Sequence, residues 1–220
     1  MDEQAASQRT GRLGAFTGNF IPGLCFESGH CIWLLEFTST PTRFDSYTEL
    51  WLISPDGKRV LYTDPEAATE EVLKYHDFDR TNGASITCDT SHSKISVTME
   101  ATDGPSLELT ASASQTFGTR VLNTVILRSG MGTTISTLSL NLLLDANGLK
   151  VAGRTETDRR YRLDAERIQQ ITDASATLDE RDLGALGSPT RPIEFGDAKT
   201  TADALYVPGT LNLEQFKAEN

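Results

Sequence analysis

The sequence predicts a mainly β fold: a largely antiparallel barrel or two curved sheets, with a few short helices at the margin. Short β-prone segments separated by turn residues recur from residue 31 onward. Several of them pair across tight hairpin turns, which argues against a parallel sheet of alternating strands and helices. The length of 220 residues suits a single domain, because all-β domains commonly reach roughly 200–250 residues.

The domain boundary is predicted from the composition of the first residues. Residues 1–18 are polar and rich in glycine, which predicts a flexible N-terminal arm. Residues 19–220 contain no internal repeat and no low-complexity linker. They are therefore expected to form one β-rich domain.

The first strands are predicted from apolar segments and one turn. The segment "CIWLLEFT" (31–38) is apolar and aromatic almost throughout, as in a strand buried on both faces. The segments "YTELWLIS" (47–54) and "KRVLYT" (58–63) flank a Pro-Asp-Gly turn and predict a hairpin. The next segment, "DPEAATEEVLKY", predicts a short amphipathic helix with Asp64 as its N-cap.

The second half continues the β pattern with one predicted helix. Apolar and polar residues alternate in "KISVTMEA" (94–101), which predicts a strand with one buried face. Asn147 and Gly148 predict a further hairpin turn. A brief helix is predicted over residues 164–170 and a strand near residues 171–178, whereas residues 119–129 fit either a strand or a helix.

The charge balance excludes some partners and suggests a compartment. Thirty-one acidic and 20 basic residues give a net charge of −11, so neither nucleic acid nor an anionic membrane is an expected partner. The N-terminal residues do not resemble a secretory signal, and no apolar segment reaches the length of a membrane span. Three cysteines, an odd number, favour a reducing compartment. A cytoplasmic location is therefore expected.

Five arginines cluster in the segment from residue 154 to residue 167. They are Arg154, Arg159, Arg160, Arg162 and Arg167. In so acidic a chain, the cluster predicts a solvated rim paired with neighbouring acids. A site for a carboxylate, a phosphate or a coenzyme A tail is the alternative, because guanidinium groups suit such anions.

The sequence contains few signs of catalytic or metal chemistry. No serine-nucleophile motif and no glycine-rich phosphate loop is present. The residues Cys31, Cys88, His30 and His92 could supply zinc ligands, but their spacing matches no zinc motif. Cys31 and Cys88 are interpreted as core residues, and neither a metal nor a cofactor is predicted. Lys94 and Lys150 are the candidate amines for a Schiff base, if either faces a dry interior; a lysine at a strand end in water is the alternative.

One segment carries a family resemblance. The segment "ITDASATLDERDLGALGSPTRPIEF" (171–195) resembles the C-terminal part of acetoacetate decarboxylase-like proteins, in which a strand, a Gly-Pro-Thr-Arg-type turn and another strand follow each other. Here the turn is Gly187-Ser188-Pro189-Thr190-Arg191. The resemblance implies an incomplete β-barrel around an apolar cavity and a lyase with a Schiff-base lysine. The family's paired lysines have no counterpart in this sequence, and lipocalin-like barrels are an equal structural comparison.

The predicted function is binding of a small apolar or keto-bearing molecule in an internal cavity. The expected ligand-binding residues come from the aromatic first strands: Trp33, Leu35, Phe37, Trp51 and Ile53. These side chains could instead simply fill the core. A lyase that uses Lys94 or Lys150 and a non-catalytic interaction protein remain alternatives. Exposed edge strands would also allow an oligomer.

Overall fold

The computed structural model describes residues 12–91, 93–126, 151–200 and 203–216, and these form the predicted mainly β fold. Most β-prone segments of the sequence become strands, and the helical content is small. Within the described residues the elements are β1 (Leu13–Phe26), β2 (Cys31–Ser39), β3 (Tyr47–Ile53), β4 (Arg59–Asp64), α1 (Thr69–Val72), β5 (Arg80–Ser91), β6 (Lys94–Ala101), β7 (Ser106–Ser114), α2 (Phe117–Val121), β8 (Ala152–Arg154), β9 (Arg160–Ala165), β10 (Gln169–Leu178), β11 (Arg181–Asp182), β12 (Leu186–Gly187), β13 (Glu194–Phe195), β14 (Ala198–Lys199) and β15 (Leu205–Glu214).

The strands form one large mixed sheet with ring-like bonding. Its order is β11-β10-β7-β6-β5-β4-β3-β2-β1-β15-β9-β8, with β12 attached to β1, while β13 and β14 form a small separate sheet. A short pairing of β10 with β15 joins the two arms of this path. In the described part of the chain, β4 and β5 pair in parallel and the other pairings are antiparallel. The predicted hairpin of β3 and β4 is confirmed.

Two hydrophobic cores lie on opposite faces of β2 and β3. Because successive side chains of a strand point to opposite faces, Leu34 and Leu50 enter one core, whereas Trp33 and Trp51 enter the other. The first core also contains the inward faces of β6, β7 and β10. The second core is rich in aromatic residues. The prediction that residues 31–38 form a strand buried on both faces is therefore confirmed over most of its length.

The first strand begins earlier than the sequence predicted. Leu13–Gly18 pair with β15 and belong to β1, so the expected arm is wrong for these residues. Residues 1–11 lie outside the described part of the chain. The glycines that suggested an arm instead allow close packing: a Cβ at Gly18 would overlap the carbonyl oxygen of Glu36 on β2. Phe16 and Phe20, both buried, hold this part of β1 in the aromatic core.

The helix after β4 is shorter than predicted. A 3₁₀ turn (Glu66–Ala68) is followed by the single turn of α1. Asp64 is not its N-cap, because it ends β4 and its carboxylate accepts a hydrogen bond of 2.8 Å from the amide of Ile86. The helix ends at Val72, and the residues that follow pack along the aromatic core.

The helix predicted over residues 164–170 is wrong. Strand β9 extends to Ala165 and β10 begins at Gln169. Pairing with β15 supplies the backbone partners that a helix would have supplied internally. Of the segment 119–129, which fitted either a strand or a helix, the described residues are helical: they belong to α2 and to a π-helical turn (Leu122–Ile126). Residue 127 onward and the hairpin predicted at Asn147 and Gly148 lie outside the described residues.

Two of the three cysteines form a disulfide that was not predicted. Cys25 and Cys31 are register partners on β1 and β2 and form a disulfide, while Cys88 is free. Cys31 is a fully buried core residue, as predicted, and Cys88 is partly buried against the first core. A cytoplasmic location stays a prediction. No helix in the described residues is long and apolar enough to cross a membrane.

Candidate functional site

A cavity of about 110 Å³ lies within the second, aromatic core. We call it the aromatic cavity. Its walls come from β1, β2, β3, the segment after α1, the β8–β9 hairpin, β13, β14 and β15. Its aromatic lining consists of Phe20, Trp33, Phe37, Tyr47, Trp51, Tyr75, Tyr161 and Phe195.

The structure brings four of the five predicted ligand-binding residues to this cavity. Trp33, Leu35, Phe37 and Trp51 line it, because they share one face of β2 and β3. Ile53 belongs to the same core but does not line the cavity. That these side chains contact a ligand stays a prediction.

Two tryptophans stack against each other in the cavity wall. Trp33 and Trp51 are register partners on β2 and β3, and their rings stack with centroids 5.4 Å apart and planes 6° apart. Phe195 of β13 packs against both, with centroid distances of 5.0 and 4.5 Å. The indole nitrogen of Trp33 donates a hydrogen bond of 2.8 Å to Thr200. Phe195 was missed because nothing local shows that a two-residue strand so far along the chain covers this face.

Glu49 places a carboxyl group in this apolar wall. Its side chain lines the cavity, and the residue is 4% exposed. The indole nitrogen of Trp51 donates a hydrogen bond of 2.6 Å to Oε2 of Glu49, and the Tyr47 side chain hydrogen-bonds to the same carboxyl group. Burial raises the pKa of Glu49 to about 8, because the charged form loses its hydration, and the two hydrogen bonds only partly oppose this effect. Near neutral pH the group is therefore mainly protonated and close to its titration point.

The sequence carried a signal for this group that was missed. In "YTELW" (47–51), Tyr47, Glu49 and Trp51 alternate with the other residues and share one face of the strand. A carboxyl group between two aromatic residues on a face expected to be buried is unusual, since buried acids are costly. Such a residue marks a candidate site on physical grounds.

A second polar group reaches the cavity from the segment after α1. His76 lines the cavity, and its Nδ1 lies 3.4 Å from Oε2 of Glu156. Arg59 donates a hydrogen bond of 2.5 Å to Oε1 of Glu156, and the amide of Asp77 donates one of 3.1 Å to Oε2. Burial pushes the pKa of Glu156 upward, but the contacts with His76, Arg59 and the Asp77 amide outweigh it and lower the pKa to about 2. The Glu156 carboxylate thus lies beside the histidine at the cavity wall.

Of the two candidate lysines, the structure describes Lys94, which lies away from the cavity. Lys94 opens β6 on its exposed face and does not line the cavity. The interpretation of this residue as a lysine at a strand end in water is therefore supported. Lys150 lies outside the described residues. The described residues that line the cavity include no lysine.

The arginine cluster is mostly the predicted rim. Arg154, Arg160 and Arg162 pair with Asp158, Glu214 and Asp164 over 2.9, 3.2 and 2.7 Å, and each arginine side chain is about half exposed. Arg159 differs, because its guanidinium lies over the ring of Phe216 at 4.0 Å.

The possible zinc ligands do not converge in the described part of the chain. Cys31 is bonded to Cys25, and His92 lies outside the described residues. Among the residues that the structure describes, no group of three or more histidine, cysteine or acidic side chains is placed to hold a metal ion.

Comparisons with known proteins give only a weak fold-level resemblance. The sequence matches no protein-family profile and no curated protein. An acetoacetate decarboxylase from Legionella pneumophila is 8% identical, with a TM-score of 0.40 over 96% of this chain and 88% of that chain. A second acetoacetate decarboxylase structure is 8% identical, with a TM-score of 0.40 over 97% of this chain and 96% of that chain. We transfer no residue role or activity from either structure.

Proposed function

We propose that this protein binds a small, largely apolar organic molecule in the aromatic cavity. The observation that carries the proposal is the cavity itself: about 110 Å³ lined mainly by aromatic and aliphatic side chains, with few polar groups. Small-molecule sites commonly combine apolar walls with a small number of polar groups that fix the ligand's orientation. Glu49 and His76 are groups of this kind.

The size of the cavity limits the ligand. A benzene-sized molecule occupies an engineered protein cavity of roughly 150 Å³, so this cavity suits a compound or side group of a few heavy atoms. The sequence predicted an apolar or keto-bearing ligand. The apolar part of that prediction carries the proposal, because the lining of the cavity is mainly aromatic and aliphatic.

Intrinsic fluorescence offers a direct test. Trp33 and Trp51 are the two tryptophans of the chain, and both line the cavity. We expect a saturable change in their emission when small aliphatic and aromatic compounds are titrated, together with a raised melting temperature. The absence of a saturable change and of a thermal shift across the panel would refute the proposal.

A matched pair of variants tests the location. Leu35→Phe adds volume to the wall of the cavity and should abolish binding. Leu13→Phe makes the same change at a side chain that is 46% exposed and outside the cavity, so it should bind like the parent. Equal loss of binding in both variants would show that the ligand sits elsewhere.

A further inference from the structure

The carboxyl group of Glu49 accepts hydrogen bonds that favour its charged form. Among the described residues that line the cavity, the one basic side chain is that of His76, which lies beside the carboxylate of Glu156. Two side chains, those of Trp51 and Tyr47, hydrogen-bond to Glu49. Such hydrogen bonds favour a carboxylate over a neutral acid. Yet the described side chains that line the cavity include neither lysine nor arginine. A buried carboxylate ordinarily needs a positive partner.

We propose that the bound molecule supplies this partner: a small organic cation whose ammonium group pairs with Glu49 among the aromatic rings of the cavity. The inference rests on the proposed function, because it names the head group of the molecule that the cavity binds. The apolar part of the molecule would contact the aliphatic side of the wall, which includes Leu35, Leu211 and Leu213.

The aromatic lining favours a cation over an anion. The faces of aromatic rings carry negative electrostatic potential and attract ammonium groups. The indole N–H groups, which would bind an anion, are both engaged within the protein: Trp51 donates to Glu49 and Trp33 donates to Thr200. The net charge of −11 also attracts cations and repels anions before they reach the cavity.

Binding of a cation would release a proton. Burial raises the pKa of Glu49 to about 8 in the empty cavity, so below that pH the carboxyl proton must leave to the buffer before the ion pair forms. The affinity for a permanent cation should therefore increase about tenfold per pH unit and level off near pH 8. Aliphatic amines remain charged over this range, since they titrate near pH 10.4.

The other groups around Glu49 either stay neutral over this pH range or have effects that a variant separates from that of Glu49. Leu35 and Thr63, its register partners on β2 and β4, do not titrate in this range. The cavity wall also carries the titratable side chains of Tyr47, Tyr75, Tyr161 and His76. The nearby charge of Glu71 acts on Tyr47 and Tyr75. Burial raises the pKa values of all three tyrosines, so these remain neutral. His76 is in contact with Glu156, and a variant of Glu49 separates its effect from that of the carboxyl group.

The test compares isobutylamine with isobutyl alcohol, which has nearly the same shape but no charge. Both are titrated against the parent protein at pH 6, 7 and 8 by calorimetry and tryptophan fluorescence. We expect the amine to bind at least tenfold more tightly than the alcohol at pH 8, with an advantage that falls about tenfold per unit of decreasing pH. Calorimetry in two buffers of different ionisation enthalpy should show release of nearly one proton at pH 6 to 7.

Glu49→Gln provides the decisive comparison, because it keeps the shape and removes the charge. This variant should bind the amine and the alcohol equally, without a pH dependence. Glu100→Gln makes the same charge change on the exposed face of β6 and should behave like the parent. If Glu49→Gln does not fold, proton release by the parent protein decides the question alone.

The failures of the two proposals are distinguishable. If the alcohol binds as tightly as the amine at pH 8, or if no proton is released, the cation inference is wrong and the proposed function stands. If neither compound binds and the wider panel of apolar compounds also fails, both are wrong.

Discussion

The indole nitrogen of Trp51 lies 2.6 Å from a carboxyl oxygen of Glu49, two residues earlier on the same strand. The strand period of two places both side chains in the aromatic core. One residue therefore supplies both a ring of the cavity wall and a hydrogen-bond donor to the acid in that wall. The carboxyl group is buried and titrates near pH 8, which makes the stability of the fold depend on pH in a predictable direction.

The protein should lose stability as pH rises from about 4.5 to about 8. The folded state holds the Glu49 proton with a pKa of about 8, against an ordinary value of 4.5. The stabilisation from this group is therefore complete below pH 4.5 and disappears as pH rises through 8, at a rate of about 1.4 kcal/mol per pH unit. Urea unfolding at pH 5, 6, 7, 8 and 9 measures this slope.

Glu49→Gln should remove that slope, since glutamine stays neutral at every pH. The free energy of unfolding of the variant minus that of the parent should therefore be larger at pH 8 to 9 than at pH 5. Glu100→Gln, an exposed residue of β6, should retain the slope of the parent. An unchanged slope in Glu49→Gln would show that another group controls the alkaline loss.

Trp51→Phe should raise the pKa of Glu49 further. The indole hydrogen bond lowers this pKa, and phenylalanine keeps an aromatic ring but has no donor. The upper end of the alkaline stability loss should therefore move above pH 8, and infrared titration of the protonated carboxyl band gives the same midpoint directly. Trp33→Phe is the matched control, because the Trp33 donor bonds to Thr200 instead. A similar shift in both variants would contradict the assigned role of Trp51.

Local sequence patterns predicted the strands but not the contacts that form the site. The alternation in residues 94–101 and the turn at Pro55-Asp56-Gly57 are encoded within a few residues, and both were predicted correctly. The helix expected over residues 164–170 was wrong because pairing with β15 overrides its local preference.

The candidate site depends on residues that are distant in the sequence. Glu49 becomes a buried acid only because β13 and the segment after α1 cover its face of β3. Gly18 suggested a flexible arm, but the approach of Glu36 from β2 gives it a packing role. The alternation in residues 47–51 marks Glu49 as an acid on a buried face, but nothing local in the sequence shows which elements cover it or that Glu36 approaches Gly18.

The rim arginines should contribute unequally to stability. Arg162 and Asp164 are both about half exposed, so Arg162→Ala should cost no more than roughly 0–1 kcal/mol. Arg159 is partly buried over the ring of Phe216, so Arg159→Ala should cost about 1–2 kcal/mol through lost packing and cation–π attraction.

Salt separates the two arginine effects, and phosphate tests the anion-site alternative. The Arg162 effect should shrink as potassium chloride is raised, because screening weakens exposed pairs, whereas the Arg159 effect should persist.

Phosphate should not raise the melting temperature of the parent beyond a chloride control of equal ionic strength. A phosphate-specific gain that disappears in Arg160→Ala would mean that the cluster binds an anion.

The disulfide between Cys25 and Cys31 should stabilise the hairpin of β1 and β2. The two residues are six positions apart, and closure of so short a loop in the unfolded chain corresponds to about 2 kcal/mol. The double variant Cys25→Ala with Cys31→Ala should lose at least this amount in urea unfolding, because it also removes two buried sulfur atoms.

The parent protein should lose about 2 kcal/mol when a reducing agent is present throughout unfolding, and the double variant should be unaffected by that agent. Cys88→Ala should keep the response of the parent, since Cys88 is free. Identical unfolding of the parent with and without reductant would show that the two thiols do not form a stable bond in solution.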